Sequence, residues 1–187
     1  MIFNSHTFAI FFAVVFFVYW ALPAKLRNVV LLVASYVFYG WWNWRLVGLL
    51  VGSILVNWAF GRLLEATESG SATKLVLGIG VSSNLVVLAF FKYYGFFVES
   101  SSDLAAALNV SVDPPLVQIL LPVGISFFTF QAISYLVDLY RDELSALRLL
   151  DLAVYLAFFP QLVAGPIVRA TTFIPQLAAT APPEIPL

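Results

Sequence analysis

Residues 75–98 read LVLGIGVSSNLVVLAFFKYYGFFV, and the only charge in this stretch is that of Lys92. A bilayer is crossed by a helix of about 20 predominantly apolar residues, so this stretch is long enough to span one. The whole chain has the same character, since 62% of its 187 residues are hydrophobic and 10% are charged. Soluble domains contain about 25% charged residues. The sequence therefore predicts an integral membrane protein.

Six hydrophobic segments are predicted along the chain, and together they indicate an all-α, polytopic transmembrane helical bundle. Polar or proline-containing stretches separate them, and the longest of these, 99–115, has a possible short surface helix at 104–108. A single membrane domain covers 1–177, and 178–187 is an Ala/Pro-rich tail, a linker or a truncation point. The predicted segments are 8–22, 29–39, 46–64, 75–98, 116–140 and 152–168, the last broken or re-entrant.

The charges indicate a topology and exclude several kinds of site. A net charge of −1 provides no basic surface for nucleic acid, and the chain has no cysteine for disulfides or thiol chemistry. No His, Asp and Glu set has metal-ligand spacing, so no metal site is predicted. With the N-terminus outside, the loops predicted to be cytoplasmic hold most basic residues, as the positive-inside rule requires. Those residues are Lys25, Arg27, Arg62, Lys74, Arg141 and Arg148, against Arg45 and Lys92 outside.

Polar residues recur on one face of the fifth segment at spacings of three and four. Polar side chains are costly in hydrocarbon, so such a face is a candidate functional feature. It either lines a polar passage or makes ordinary hydrogen bonds between helices, with Asp138 paired to Arg141. The residues of this face are Gln131, Ser134, Tyr135, Asp138 and Arg141.

The sixth segment contains Pro160, Gln161, Gly165 and Pro166, which disfavour a continuous spanning helix. Irregular backbone at membrane depth is tolerated where it is buried in protein or faces a water-filled cavity. The segment is therefore either a re-entrant element that shapes a substrate passage or a kinked helix that ends at Pro166. His6, the single histidine, precedes the first segment and is interpreted as a solvated or capping residue.

Two motifs carry a resemblance to a known family. PVGISFFTFQAISY at 122–135, continued by Asp138 and Tyr140-Arg141, resembles a signature of the bacterial membrane-bound O-acyltransferases (MBOAT). FFPQLVAGPIVR at 158–169, followed by FIPQL at 173–177, is similar to that family's second signature. Within that family, the two motifs resemble those of the alginate-type polysaccharide O-acetyltransferases.

The resemblance implies a multi-pass protein of the bacterial inner membrane with a funnel or tunnel. An acyl donor on the cytoplasmic side, acyl-CoA or an acyl carrier, would supply acetyl groups to hydroxyls of an exported polysaccharide such as alginate. The polar residues of the fifth and sixth segments would lie beside that passage, and no cofactor would be bound. The family's catalytic histidine is expected beyond Leu187, and His6 does not match it. The chain is therefore expected to be an N-terminal part that needs its C-terminal half and is inactive alone.

Two other functions remain open from the residues themselves. A small transporter or channel could use the polar fifth helix and the broken sixth segment as its pore. A non-catalytic membrane scaffold would use neither.

Overall fold

The computed structural model describes residues 5–68, 70–107, 122, 124–162 and 165–178. These residues form helices and no strand, which confirms the all-α prediction. The first helix begins where the Ser5 hydroxyl accepts a hydrogen bond from the Phe8 N–H (3.2 Å), and it ends before Pro23. The helices are α1 (His6–Ala21), α2 (Ala24–Ala66), α3 (Ser71–Ala107), α4 (Ile125–Tyr140), α5 (Leu149–Ala157), α6 (Phe159–Leu162) and α7 (Ala170–Ala178).

Helix α2 folds back on itself. Asn28 Nδ2 donates to Asp151 Oδ1 (3.3 Å), and Glu65 Oε1 accepts from the Ala146 N–H (3.1 Å). A straight helix would place Asn28 and Glu65 about 55 Å apart. Their partners Ala146 and Asp151 are five residues apart in the chain and therefore lie within about 18 Å of each other. Asn28 and Glu65 are thus much closer together than a straight helix allows. The reversal occurs at Asn43, whose φ of −160° and ψ of 110° are not helical. Each arm of α2, residues 24–42 and 44–66, is about 20 residues long, which suits the roughly 30 Å of a bilayer core.

Helix α3 runs antiparallel to the second arm of α2 and extends further than the sequence predicts. The fourth segment was expected to end at Val98, but α3 continues to Ala107. The expected short helix at 104–108 is therefore, as far as it is described, the end of α3. Residues 108–121 lie outside the described residues, and so does the predicted start of the fifth segment.

Within the part of the chain that the structure describes, two helices are long and apolar enough to cross a membrane, namely α2 and the Ser71–Tyr94 part of α3. Helix α1 is apolar but shorter, and none of its residues is buried. The number of six crossing segments stays a prediction.

The core lies where α4 and α5 pack against both arms of α2. Leu50 and Ile54 of α2 meet Leu136 of α4 and Leu152 of α5 in one buried cluster. The ends of α2 and α4 and the starts of α2, α3 and α5 meet at one end of this bundle. We call it the basic end, because it carries Lys25, Arg27, Arg62, Lys74, Arg141, Arg148 and Arg169.

Candidate functional site

The polar face of α4 points into the protein. Gln131, Tyr135 and Asp138 are buried, Ser134 is half-buried, and only Arg141 at the helix end is exposed. The Tyr135 hydroxyl accepts a hydrogen bond from the Leu147 N–H (3.2 Å), which ties α4 to the connection that leads into α5. Tyr135 also packs against Gly61 of α2, where an added Cβ would collide with its hydroxyl. The predicted face therefore exists, and its tyrosine has a packing role.

Asp138 is 1% exposed, and its Oδ2 has no hydrogen-bond partner. Its charged neighbours are Arg169, Glu143 and Arg141. Arg141 is bound to Glu143 instead (Nη1 to Oε1, 3.9 Å), and Arg169 approaches the same carboxylate (3.7 Å). The predicted Asp138–Arg141 pair is therefore not formed among the described residues. A buried carboxylate oxygen without a partner is costly, and such groups concentrate at functional sites.

The sixth segment is broken at Phe158, between α5 and α6. The Phe159 N–H at the break donates to Ser35 Oγ of α2 (3.2 Å), which satisfies one donor that the break frees. The chain then returns, because the Arg169–Glu143 contact places residue 169 beside the connection from which α5 starts. The segment does not continue as one helix to Pro166.

Two glycines fit against this break. Gly124 precedes α4 with a φ of 77°, and a Cβ at Gly124 would meet the carbonyl oxygen of Leu162. A Cβ at Gly165 would lie 2.9 Å from Cα of Gln161. The irregular backbone is therefore packed tightly against protein, as backbone at membrane depth requires.

A cavity of about 510 Å³ lies between α1, the broken segment and α7. Its wall is largely aromatic and aliphatic, and its polar members are few, as is typical of small-molecule sites. Pro160 and Gln161 of the broken segment line it, and the buried Oε1 of Gln161 has no hydrogen-bond partner. Thr172 and Gln176 of α7 add polar groups to the same wall.

The predicted site residues thus fall into separate places. Pro160 and Gln161 line this cavity, whereas none of the five residues of the α4 face does. Arg141 lines a second cavity of about 590 Å³ at the basic end, together with Glu65 and Lys74. Gly165 and Pro166 lie on the returning chain, and Pro166 is exposed.

Sequence reasoning missed α7 as a helix and so missed Thr172, Phe173 and Gln176 as cavity residues. Pro175 inside α7 argued against a helix there, although the spacing of three and four among these residues is typical of one helix face. His6 is exposed at the start of α1, away from Asp138 at the basic end. The described residues contain no group of three or more His, Asp or Glu side chains able to hold a metal ion.

Curated proteins similar to this chain are bacterial O-acetylases. The probable alginate O-acetylase of Azotobacter vinelandii is 40% identical over 180 residues, which cover 94% of this chain and 36% of the relative. That of Pseudomonas aeruginosa is 38% identical over 179 residues, covering 94% and 34%. The peptidoglycan O-acetyltransferase of Helicobacter pylori is 32% identical over 207 residues, covering 94% and 38%.

The chain is similar to the alginate O-acetylases over nearly all of its length. The resemblance that the two motifs indicated is thereby confirmed. Because 94% of the chain is aligned, the alignment includes α4 and the broken segment. The similarity is therefore more than a shared hydrophobic composition. The chain spans about a third of the length of the curated relatives it matches. No family model matches the chain. No solved structure matches it either.

Proposed function

We propose that this chain forms part of a membrane O-acetyltransferase that acetylates hydroxyls of an exported polysaccharide such as alginate. The observation that carries the proposal is the identity of 38–40% to alginate O-acetylases over 94% of the chain. The buried polar face of α4 and the broken segment support it, because acyl transfer across a membrane needs polar groups at depth.

In this proposal, the chain shapes the passage and another segment supplies the base. Transfer of an acyl group to a hydroxyl requires a group that takes the hydroxyl proton, and histidine does this most often. His6 is exposed at the start of α1, and it has no place in the site. The histidine then comes from the C-terminal half expected by resemblance, and the chain alone is inactive. Asp138, with its unpartnered oxygen, is the residue of this chain most suited to bind a polar reactant.

The acyl donor, an acyl-CoA or an acyl carrier, approaches from the basic end. That end faces the cytoplasm of a bacterial inner membrane, since basic residues are retained on that side. The N-terminus is then outside, and the chain between α5 and Arg169 enters the membrane and returns. The Arg169–Glu143 contact supports the return.

Labelling of single cysteines tests this topology, because the chain has no cysteine of its own. We expect Ser145→Cys and Thr171→Cys to resist a membrane-impermeant maleimide in intact cells and to react once the membrane is opened. His6→Cys is expected to react in intact cells. Opposite behaviour of positions 145 and 171 would show that the sixth segment crosses.

Complementation tests the activity. A strain without its alginate O-acetylase would receive this chain alone, or this chain fused to the part of the Azotobacter vinelandii relative that it does not match. We expect ester-linked acetate on the secreted alginate only with the fusion. Acetylation by the chain alone would contradict the need for a second part. No acetylation by a fusion that inserts in the membrane would contradict the proposed function.

A further inference from the structure

The cavity between α1 and α7 continues into a smaller one at the basic end. This second space, of about 230 Å³, shares Tyr19 and Leu177 with the larger cavity. Its other lining side chains include Lys25, Arg27 and Asn28, and none of the described residues that line it is a carboxylate. Asn28 of this wall donates a hydrogen bond to the carboxylate of Asp151, which does not itself line the space. An apolar space and a positively charged space therefore meet end to end.

The larger space runs along α1 and is open on its outer side. Phe12 and Tyr19 both line it, and they lie about 10 Å apart along the helix axis. Phe12, Phe16 and Trp20 line it while remaining 47%, 48% and 42% exposed, so the wall that α1 forms is not sealed. Among the described residues, this side is open to a ligand from the surrounding bilayer.

The junction of the two spaces has the features of a membrane–water boundary. The Arg27 guanidinium lies over the rings of Tyr19 and Trp20, 5.3 Å and 5.1 Å from their centroids. Tyr and Trp favour the headgroup level of a bilayer, and nearby cations attract anionic lipids there. On the facing helix, Gln176 and Thr172 can donate hydrogen bonds to ester carbonyls.

We propose that this composite cavity binds one anionic phospholipid from the bilayer. One acyl chain lies along α1 between Phe12 and Phe173, the ester groups lie at Thr172 and Gln176, and the phosphate lies beside Lys25 and Arg27. The site holds α1, which has no buried residue of its own, against α7. This inference does not depend on acetyl transfer.

Native mass spectrometry of the 187-residue chain in detergent, with equal phosphatidylglycerol and phosphatidylcholine added, tests the headgroup. We expect one phosphatidylglycerol to be retained in preference to phosphatidylcholine. Lys25→Gln and Arg27→Gln should each weaken retention about fivefold. Arg45→Gln is the matched control, because Arg45 also lies over a tryptophan ring, that of Trp44 at 5.8 Å, but at the opposite end. We expect it to change nothing.

A second pair of variants tests the acyl chain. Thr172→Phe fills the apolar space and should abolish retention, whereas Ile79→Phe, on the exposed face of α3, should not. Equal retention of both lipids, equal effects of Lys25→Gln and Arg45→Gln, or full retention in Thr172→Phe would each overturn the proposal. Displacement of phosphatidylglycerol by an acyl coenzyme A at equal concentration would also overturn it, because the site would then belong to a soluble donor.

Discussion

Asn57 and Asn84 exchange side-chain hydrogen bonds between α2 and α3. Asn57 Nδ2 donates to Asn84 Oδ1 (3.1 Å), and Asn84 Nδ2 donates to Asn57 Oδ1 (2.8 Å). The remaining amide protons bind the carbonyls of Ser53 and Gly80, both at 2.8–2.9 Å. Both side chains are buried, so this fully satisfied pair holds two long apolar helices in one register.

We expect Asn57→Leu or Asn84→Leu alone to lower the free energy of unfolding by about 1–3 kcal/mol, because each strands the other buried amide. The double variant should cost no more than the worse single one, since no orphan remains. Unfolding in mixed micelles, arranged as a double-mutant cycle, measures this. Ser83→Ala is the control, because the Ser83 hydroxyl bonds within its own helix. Additive single effects would contradict a coupled pair.

Ser35→Ala should destabilise the structure around the break between α5 and α6. It leaves the Phe159 N–H, buried at the break, without its acceptor, which costs about 1–3 kcal/mol. A lower Tm by scanning fluorimetry is the expected result. Thr67→Ala serves as the control, since the Thr67 hydroxyl donates to the Leu63 carbonyl one turn earlier in the chain and this bond is exposed to solvent. Equal Tm values for both variants would show that the Ser35 contact contributes nothing.

Gly124→Ala should destabilise the packing of α4 against α6. The left-handed φ costs a residue with a Cβ about 1–2 kcal/mol, and the new methyl group also meets the Leu162 carbonyl. We therefore expect a loss of about 2 kcal/mol or more in the free energy of unfolding. Gly48→Ala, where nothing lies within 4 Å, should be neutral or stabilising by up to about 1 kcal/mol. A Gly124→Ala protein as stable as Gly48→Ala would refute the close approach.

Asp138→Asn separates stability from function. The amide has the shape of the carboxylate but no charge, so stability should stay within about 1 kcal/mol or rise. Acetylation by the fusion protein should fall at least about tenfold if the carboxylate acts on a reactant. Asp142→Asn is the matched control, because Asp142 is exposed at the same end and its φ of 58° suits Asn equally well. Unchanged acetylation by Asp138→Asn would remove this residue from the proposed site.

Local sequence was sufficient for the membrane class, most of the helices and the polar face of α4. The side chains at 131, 135 and 138 share a face because helical periodicity alone places them there, and the structure buries all three. The break in the sixth segment was also predictable, since the bond pattern of a helix cannot continue through Pro160 without loss. The two motifs indicated the family resemblance because each is a long run of residues in a fixed order, which the local sequence shows directly.

Tertiary structure decided what these elements do to one another. One of the two interpretations of the α4 face paired Asp138 with Arg141, three residues away, but Arg141 contacts Glu143 instead, and the returning chain brings Arg169 to the same carboxylate. The register of α2 against α3 likewise depends on Asn57 and Asn84, and no local sequence pattern predicts that these two side chains pair. Which side chains pair depends on which distant residues the packing of the helices brings within hydrogen-bond or ion-pair distance.

The sequence by itself determined the solvent of this protein, its helical class and which residues share a helix face, because these follow from hydrophobicity and from the 3.6-residue period. Only the tertiary structure decided that the chain returns to Glu143 at Arg169 and that α1 and α7 line one cavity, whereas the reversal of α2 at Asn43 lies in the gap predicted between the second and third segments. Those features depend on contacts between residues well separated in the chain, such as Arg169 with Glu143 and Asn28 with Asp151. No local pattern encodes them.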